Sequence, residues 1–189
     1  MFSIFGNLLP LLGKIFLAGC ILGVVFLVQR MKKTGVQQTE ETKEYKLITF
    51  LFIGITAMSF LFTMGWIRVA LIVSGIFLIH TLFFLFVNLS AAFLVPAFSR
   101  LKIWIWLSGV TYFLPYWILP DAGDVGGAYL YFGLITDEKI LDVLMILAPA
   151  VFFVNLLILT AEVIAVCRCK RRLRAANGAA DEESSVAAE

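Results

Sequence analysis

Histidine occurs once in this chain, at His80, and cysteine three times, at Cys20, Cys167 and Cys169. A single imidazole excludes every metal centre or catalytic set that needs two. An odd number of cysteines with no exposed pair argues against a disulfide framework. Cys167 and Cys169 form a CxC with no further cysteine or nearby histidine, too few ligands for a metal. Charge is also scarce. Asp, Glu, Lys and Arg make up 15% of residues, against about 25% in soluble domains. A net charge of +2 is too small to suggest a nucleic-acid partner. No apolar run carries a nucleophile beside a base, or a glycine-rich phosphate loop. Neither an enzyme nor a bound cofactor or metal is therefore expected.

What is abundant is apolar sequence, 61% of residues, with a mean hydropathy of +0.98. It comes in long unbroken blocks, which favours membrane-spanning helices over a water-soluble core. One crossing needs roughly 20 apolar residues, because the bilayer core is about 30 Å thick. The run from Leu47 to Ser99 is too long for one helix and suits two, divided at Arg68. The blocks predict an all-α bundle of about five transmembrane helices, over residues 8–29, 47–67, 69–96, 103–120 and 140–166. They form one domain, 1–174, followed by a tail, 175–189, that is small, acidic and free of aromatics, and so expected to be disordered.

Arg68 reads as the tip of a hairpin, beside Gly65 and Trp66, with a stem long enough to reach lipid headgroups. With five crossings, twelve of the fifteen basic residues share one face: Arg30, Lys32, Lys33, Lys43 and Lys46, then Arg100 and Lys102, then Arg168, Lys170, Arg171, Arg172 and Arg174. That face is expected to be cytoplasmic, which puts the amino terminus outside and the carboxyl terminus inside the cell membrane.

Several strings resemble motifs and are set aside. LAGC, Leu17 to Cys20, matches a lipoprotein cleavage box. Its flanks are wrong, since Lys14 lies three residues before the box and apolar sequence continues beyond it. Asn88–Ser90 fits the glycosylation pattern at a depth the machinery does not reach. Gly19 and Gly23 form a GxxxG that marks a packing face of the first helix, within the chain or against a partner. The cysteines of VCRCKRR read as incidental members of a stop-transfer flank, with palmitoylation the alternative.

A rise of 1.5 Å per residue places His80 about 18 Å below Arg68, near the midplane. Pro149 falls at a similar depth, about 14 Å in, and is expected to kink its helix. Thr56, Ser59, Thr81, Ser108 and Thr111 share the central slab, with Asn155 somewhat deeper. These residues are either interhelical hydrogen-bond glue, the favoured reading, or a polar chamber around His80. Glu162 is expected at the inner boundary, in reach of water and the tail arginines. The outer loop, 121–139, offers Asp121, Asp124, Asp137 and Glu138 as acids that could gather a cation, though not at EF-hand spacing.

Two functions follow. The first is a non-enzymatic accessory, scaffold or regulatory subunit, working in the lipid bilayer through helix contacts with other membrane proteins or with itself. The second is a small transporter or channel subunit built on the polar chamber.

Overall fold

The computed structural model describes residues 39–63, 65–122 and 127–186. The expected first crossing, with Lys14, Gly19, Cys20 and Gly23, lies outside these residues, as does Asp124. The described chain is mostly helical: α1 Glu40–Phe62, α2 Trp66–Val73, α3 Ile76–Ala92, α4 Leu101–Ile118 and α5 Glu138–Val186. Two short strands, β1 Asp121–Ala122 and β2 Ala128–Tyr129, pair antiparallel in the connection before α5.

α1 starts seven residues before the apolar run. Thr39 caps it by accepting from the Thr42 amide, and Glu40 and Glu41 favour the positive end of the helix dipole. Its buried face repeats every seven residues as Thr42, Thr49, Thr56 and Thr63, all fully buried. Thr49 and Thr56 turn their hydroxyls back to the carbonyls of Tyr45 and Phe52, at 2.8 and 2.9 Å. A stripe of small side chains with self-satisfied hydroxyls lets a neighbouring backbone approach closely. α4 uses that freedom. A Cβ at Gly109 would run into the ring of Phe52.

The expected third crossing is not one continuous helix. α2 and α3 meet at a 64° bend, because Gly75 takes a left-handed conformation (φ 76°) that ends one helix and starts the next. α3 stops at Ala92, before Pro96. α5 runs unbroken through Pro149, whose side chain is exposed. The expected kink therefore does not end the helix, and Pro149 does not face the interior. α5 also continues to Val186, into the segment expected to be disordered.

α4 packs most extensively against α5 and α1, and α3 against α1, α4 and α5. Two apolar clusters fill the bundle. One, around Leu94, Leu101, Ile105 and Val166, lies at the end that carries the basic residues. The other, around Phe52, Phe84, Tyr112 and Leu159, lies further in. The exterior is rich in large aliphatics, among them Ile146 at 76% and Leu157 at 71% exposure. The fully buried set, by contrast, includes Arg68, Asp121, Asn88, Asn155 and Glu162. Apolar outside and polar inside is the distribution a bilayer selects. By length and composition, two of the described helices, or three if the bent pair counts as one span, are apolar enough to cross a membrane.

Candidate functional site

The polar interior is organised as a file of side chains from α2, α3, α4 and α5. At the loop end, the first residue of β1 meets the first turn of α2. The Asp121 carboxylate accepts from the backbone amides of Ile67 (2.8 Å) and Arg68 (3.1 Å) and from Arg68 Nη1 (3.2 Å). A helix start leaves amides without partners and carries partial positive charge, so a carboxylate placed there serves as a cap delivered from a distant loop. Arg68 Nη2 donates to the Tyr116 carbonyl at 2.8 Å, while its Nε has no hydrogen-bond partner. Arg68 thus lies within the first turn of α2 and not at a hairpin tip, is 1% exposed, and reaches inward. The correction has a simple cause: its counter-ion lies 53 residues away and brings the guanidinium into the bundle.

The loop is tied down at the same place. Tyr131 N donates to Thr63 Oγ1 and Phe132 N to the Phe62 carbonyl, both at 3.1 Å. Leu130 turns in, while Phe132 and Leu134 turn out. Burial pushes the Tyr131 phenol up, against the pull of the nearby Arg68 charge.

His80 lies at the centre. Its Nδ1 pairs with the Tyr116 hydroxyl at 2.8 Å and its Nε2 with Asn155 Oδ1 at 2.7 Å. Asn155 Nδ2 in turn donates to the Ser108 carbonyl (2.9 Å) and to Thr111 Oγ1 (2.8 Å). Those two donations orient the amide so that its oxygen faces His80. The neutral ring then satisfies everything around it, with Nε2–H donating to Asn155 and Nδ1 accepting from Tyr116. Phe152 and Tyr112 pack on the imidazole, at ring-centre distances of 4.6 and 5.0 Å.

Thr81 joins through the Tyr112 hydroxyl at 2.7 Å, which Thr56 also faces. Ser59 bonds only its own helix, at the Thr56 carbonyl. Of the seven midplane candidates, His80, Thr111 and Asn155 form one network and Thr56 and Thr81 border it. Ser59 and Pro149 stand apart.

Toward the basic end, the Ser108 hydroxyl donates to Asn88 Oδ1 at 3.2 Å, and Asn88 Nδ2 donates to the Phe84 carbonyl. Asn88, set aside as a glycosylation residue, is fully buried here. Next to it comes Glu162. It is 0% exposed, and neither carboxylate oxygen has a hydrogen-bond partner. Ser108 faces it but is already engaged with Asn88 and the Ile105 carbonyl. The expectation that Glu162 reaches water or the tail arginines is therefore corrected. It lies seven residues after Asn155, on the same buried stripe of α5 as Leu141, Ala148 and Leu159. That heptad spacing is visible in the sequence and could have placed it. Tyr112 and Tyr116, four apart on α4, carry a comparable signal.

Among the described residues, the loop acids Asp121, Asp137 and Glu138 do not gather. Asp121 is paired with Arg68, Asp137 caps α5 by accepting from Ile140 N at 3.1 Å, and Glu138 is exposed in the first turn. Among the described residues, no group of three His, Cys, Asp or Glu side chains could hold a metal ion.

Among the described residues, basic side chains from α1, the start of α4 and α5 lie near one another at one end. Lys102 bonds Glu41 at 3.1 Å, Lys46 lies over the Phe93 ring, and a groove of about 800 Å³ is lined by Arg100, Arg168 and Arg172 with Trp104. The Glu41 hydrogen bond holds the Lys102 ammonium above the ordinary lysine range. Cys167 is exposed and Cys169 half-buried; both are free thiols.

Compared with family models, curated proteins and solved structures, the chain matches none.

Proposed function

We propose that this is a five-crossing protein of the cell membrane, amino terminus outside, that serves as a small transporter or channel subunit for an ion. The gathering of Lys43, Lys46, Arg100, Lys102 and Arg168 to Arg172 at one end supports that orientation, since basic residues favour the cytoplasmic side. The reading is non-enzymatic, with lipid and other membrane proteins or further copies of the chain as partners.

The observation that carries the ion reading is the file from Arg68 through His80 and Asn155 to Glu162. Neutral hydrogen bonds between membrane helices contribute about 0.6 kcal/mol each. A charged side chain such as Asp costs about 2.5–3.5 kcal/mol at the centre of a spanning helix even on the mildest scale. A buried carboxyl anywhere in the bundle needs a partner or a proton. Adhesion accounts for His80 and Asn155. It does not account for an acid that bonds to nothing.

The test is ion flux into vesicles reconstituted with the full chain. Flux above protein-free vesicles is expected, falling at least about tenfold in His80→Ala, by the scale of a lost proton-transfer or positioning group. No flux above protein-free vesicles, or equal flux in a well-folded His80→Ala, overturns the reading.

The saturation of His80 on both ring nitrogens supports a second reading, an accessory or scaffold subunit whose polar file is glue. Its signature is a membrane protein that co-purifies in fixed ratio in gentle detergent.

A further inference from the structure

We infer that Glu162 is a proton-binding site that exchanges with the basic end of the molecule, which names the ion of the proposed transport reading and rests on it. The first support is solvation. A carboxylate that is wholly buried, without a hydrogen-bond donor and without a counter-charge, is among the costliest groups a bundle can hold, and the group neutralises instead. The neighbouring elements supply no remedy. The titratable or charged groups on them include Glu41, Glu44, Tyr45 and Lys46 on α1, His80 on α3, Arg100 ahead of α4 with Lys102, Tyr112 and Tyr116 on it, and Arg168 and Cys169 on α5. None of these donates to Glu162, and among the described residues it forms no ion pair.

The second support is ligand count. Calcium takes six to eight oxygens and magnesium six. The side-chain oxygen that faces Glu162 is that of Ser108, already engaged with Asn88. A proton needs only one oxygen.

The third support is access. Ala161 and Ala165 line the groove that holds Arg100, Arg168 and Arg172. They lie one residue before and three after Glu162, which sets the groove, lined also by Leu101, Trp104 and Ile164, against the acid's own turn of helix. The step is balanced as a transfer from hydronium in the groove: the carboxylate gains H⁺ to become the acid and water is left. Release reverses it.

Infrared difference spectra of the full chain in lipid nanodiscs test this. Wild type is expected to show the carbonyl stretch of a neutral carboxylic acid that Glu162→Gln lacks. The band should disappear reversibly as the medium is made alkaline, and added sodium should leave it unchanged. Glu162→Asp, which keeps an acid one methylene shorter, should retain a shifted band and covers the case in which the Gln variant folds poorly. Absence of any band that these variants alter, or its removal by sodium at constant pH, overturns the proton assignment. In the vesicle assay, proton flux in Glu162→Gln should fall by about a hundredfold, the scale of one lost proton-transfer group. Undiminished proton flux in that variant overturns this inference and leaves the transport reading standing. Absence of flux in wild type overturns the transport reading, while the infrared band still decides whether Glu162 binds a proton.

Discussion

Arg68 and Glu162 are both ionisable and both fully buried, but their surroundings treat them in opposite ways. Arg68 is given Asp121, a carbonyl and a place above the ring of Phe60. Glu162 is given nothing. Removing one partner of a buried pair strands the other charge, at a cost of about 3–5 kcal/mol. Asp121→Ala is expected to lower stability by that amount in denaturation of the detergent-solubilised protein. Replacing both Arg68 and Asp121 by leucine should recover most of the loss. Equal stability of wild type and the single variant would show that the pair is not closed in solution. Neither environment could be read from residue identity. Hydropathy prices each side chain by itself, so Arg68 looks like a boundary residue and Glu162 like another.

At the scale of helices, positions were legible and faces were not. The stretch 103–120 does form a helix, α4 at Leu101–Ile118, though not one of those apolar enough to count as a candidate span, and the stretch 47–67 overlaps α1 at Glu40–Phe62, which is. In a bilayer the outer face of a helix is as apolar as a buried one, so the amphipathic contrast that marks a soluble helix is lost. What remains is the recurrence of small and polar side chains, such as the threonines of α1. Where α1 meets α4, the missing Cβ of Gly109 leaves room for the ring of Phe52. Gly109→Ala is expected to cost about 1–3 kcal/mol by overpacking against Phe52, and Phe52→Leu in the same chain should relieve it. Thermal unfolding of the three variants decides this, and an unaffected Gly109→Ala would show that the crossing is looser than described. The bend between α2 and α3 was missed for a different reason. A lone glycine in an apolar run is tolerated in a helix, and only its left-handed conformation in the folded chain makes it a break.

For the molecule as a whole, the distribution is inverted relative to a soluble domain. Among the described residues, large aliphatics lie outside and several charges within, while the basic residues other than Arg68 and Lys139 collect at one end. The proposed orientation makes a direct prediction. With Cys20 and Cys169 replaced, the native Cys167 should react with a membrane-impermeant maleimide only after cells are permeabilised. In a chain with Cys167 also replaced, Leu134→Cys, on the exposed part of the loop, should react in intact cells. The reverse pattern would invert the topology.

Composition alone determined that this chain is mostly helical with segments long and apolar enough to cross a membrane, because long apolar blocks suit lipid and a backbone in lipid must satisfy itself within each segment. Tertiary structure alone decided which polar residues have partners. Asp121 reaches Arg68 across 53 positions, and His80 meets Asn155 across 75. Such pairings depend on which helices lie side by side, and that is set by the fit of small residues against large ones, information that no local window of sequence contains.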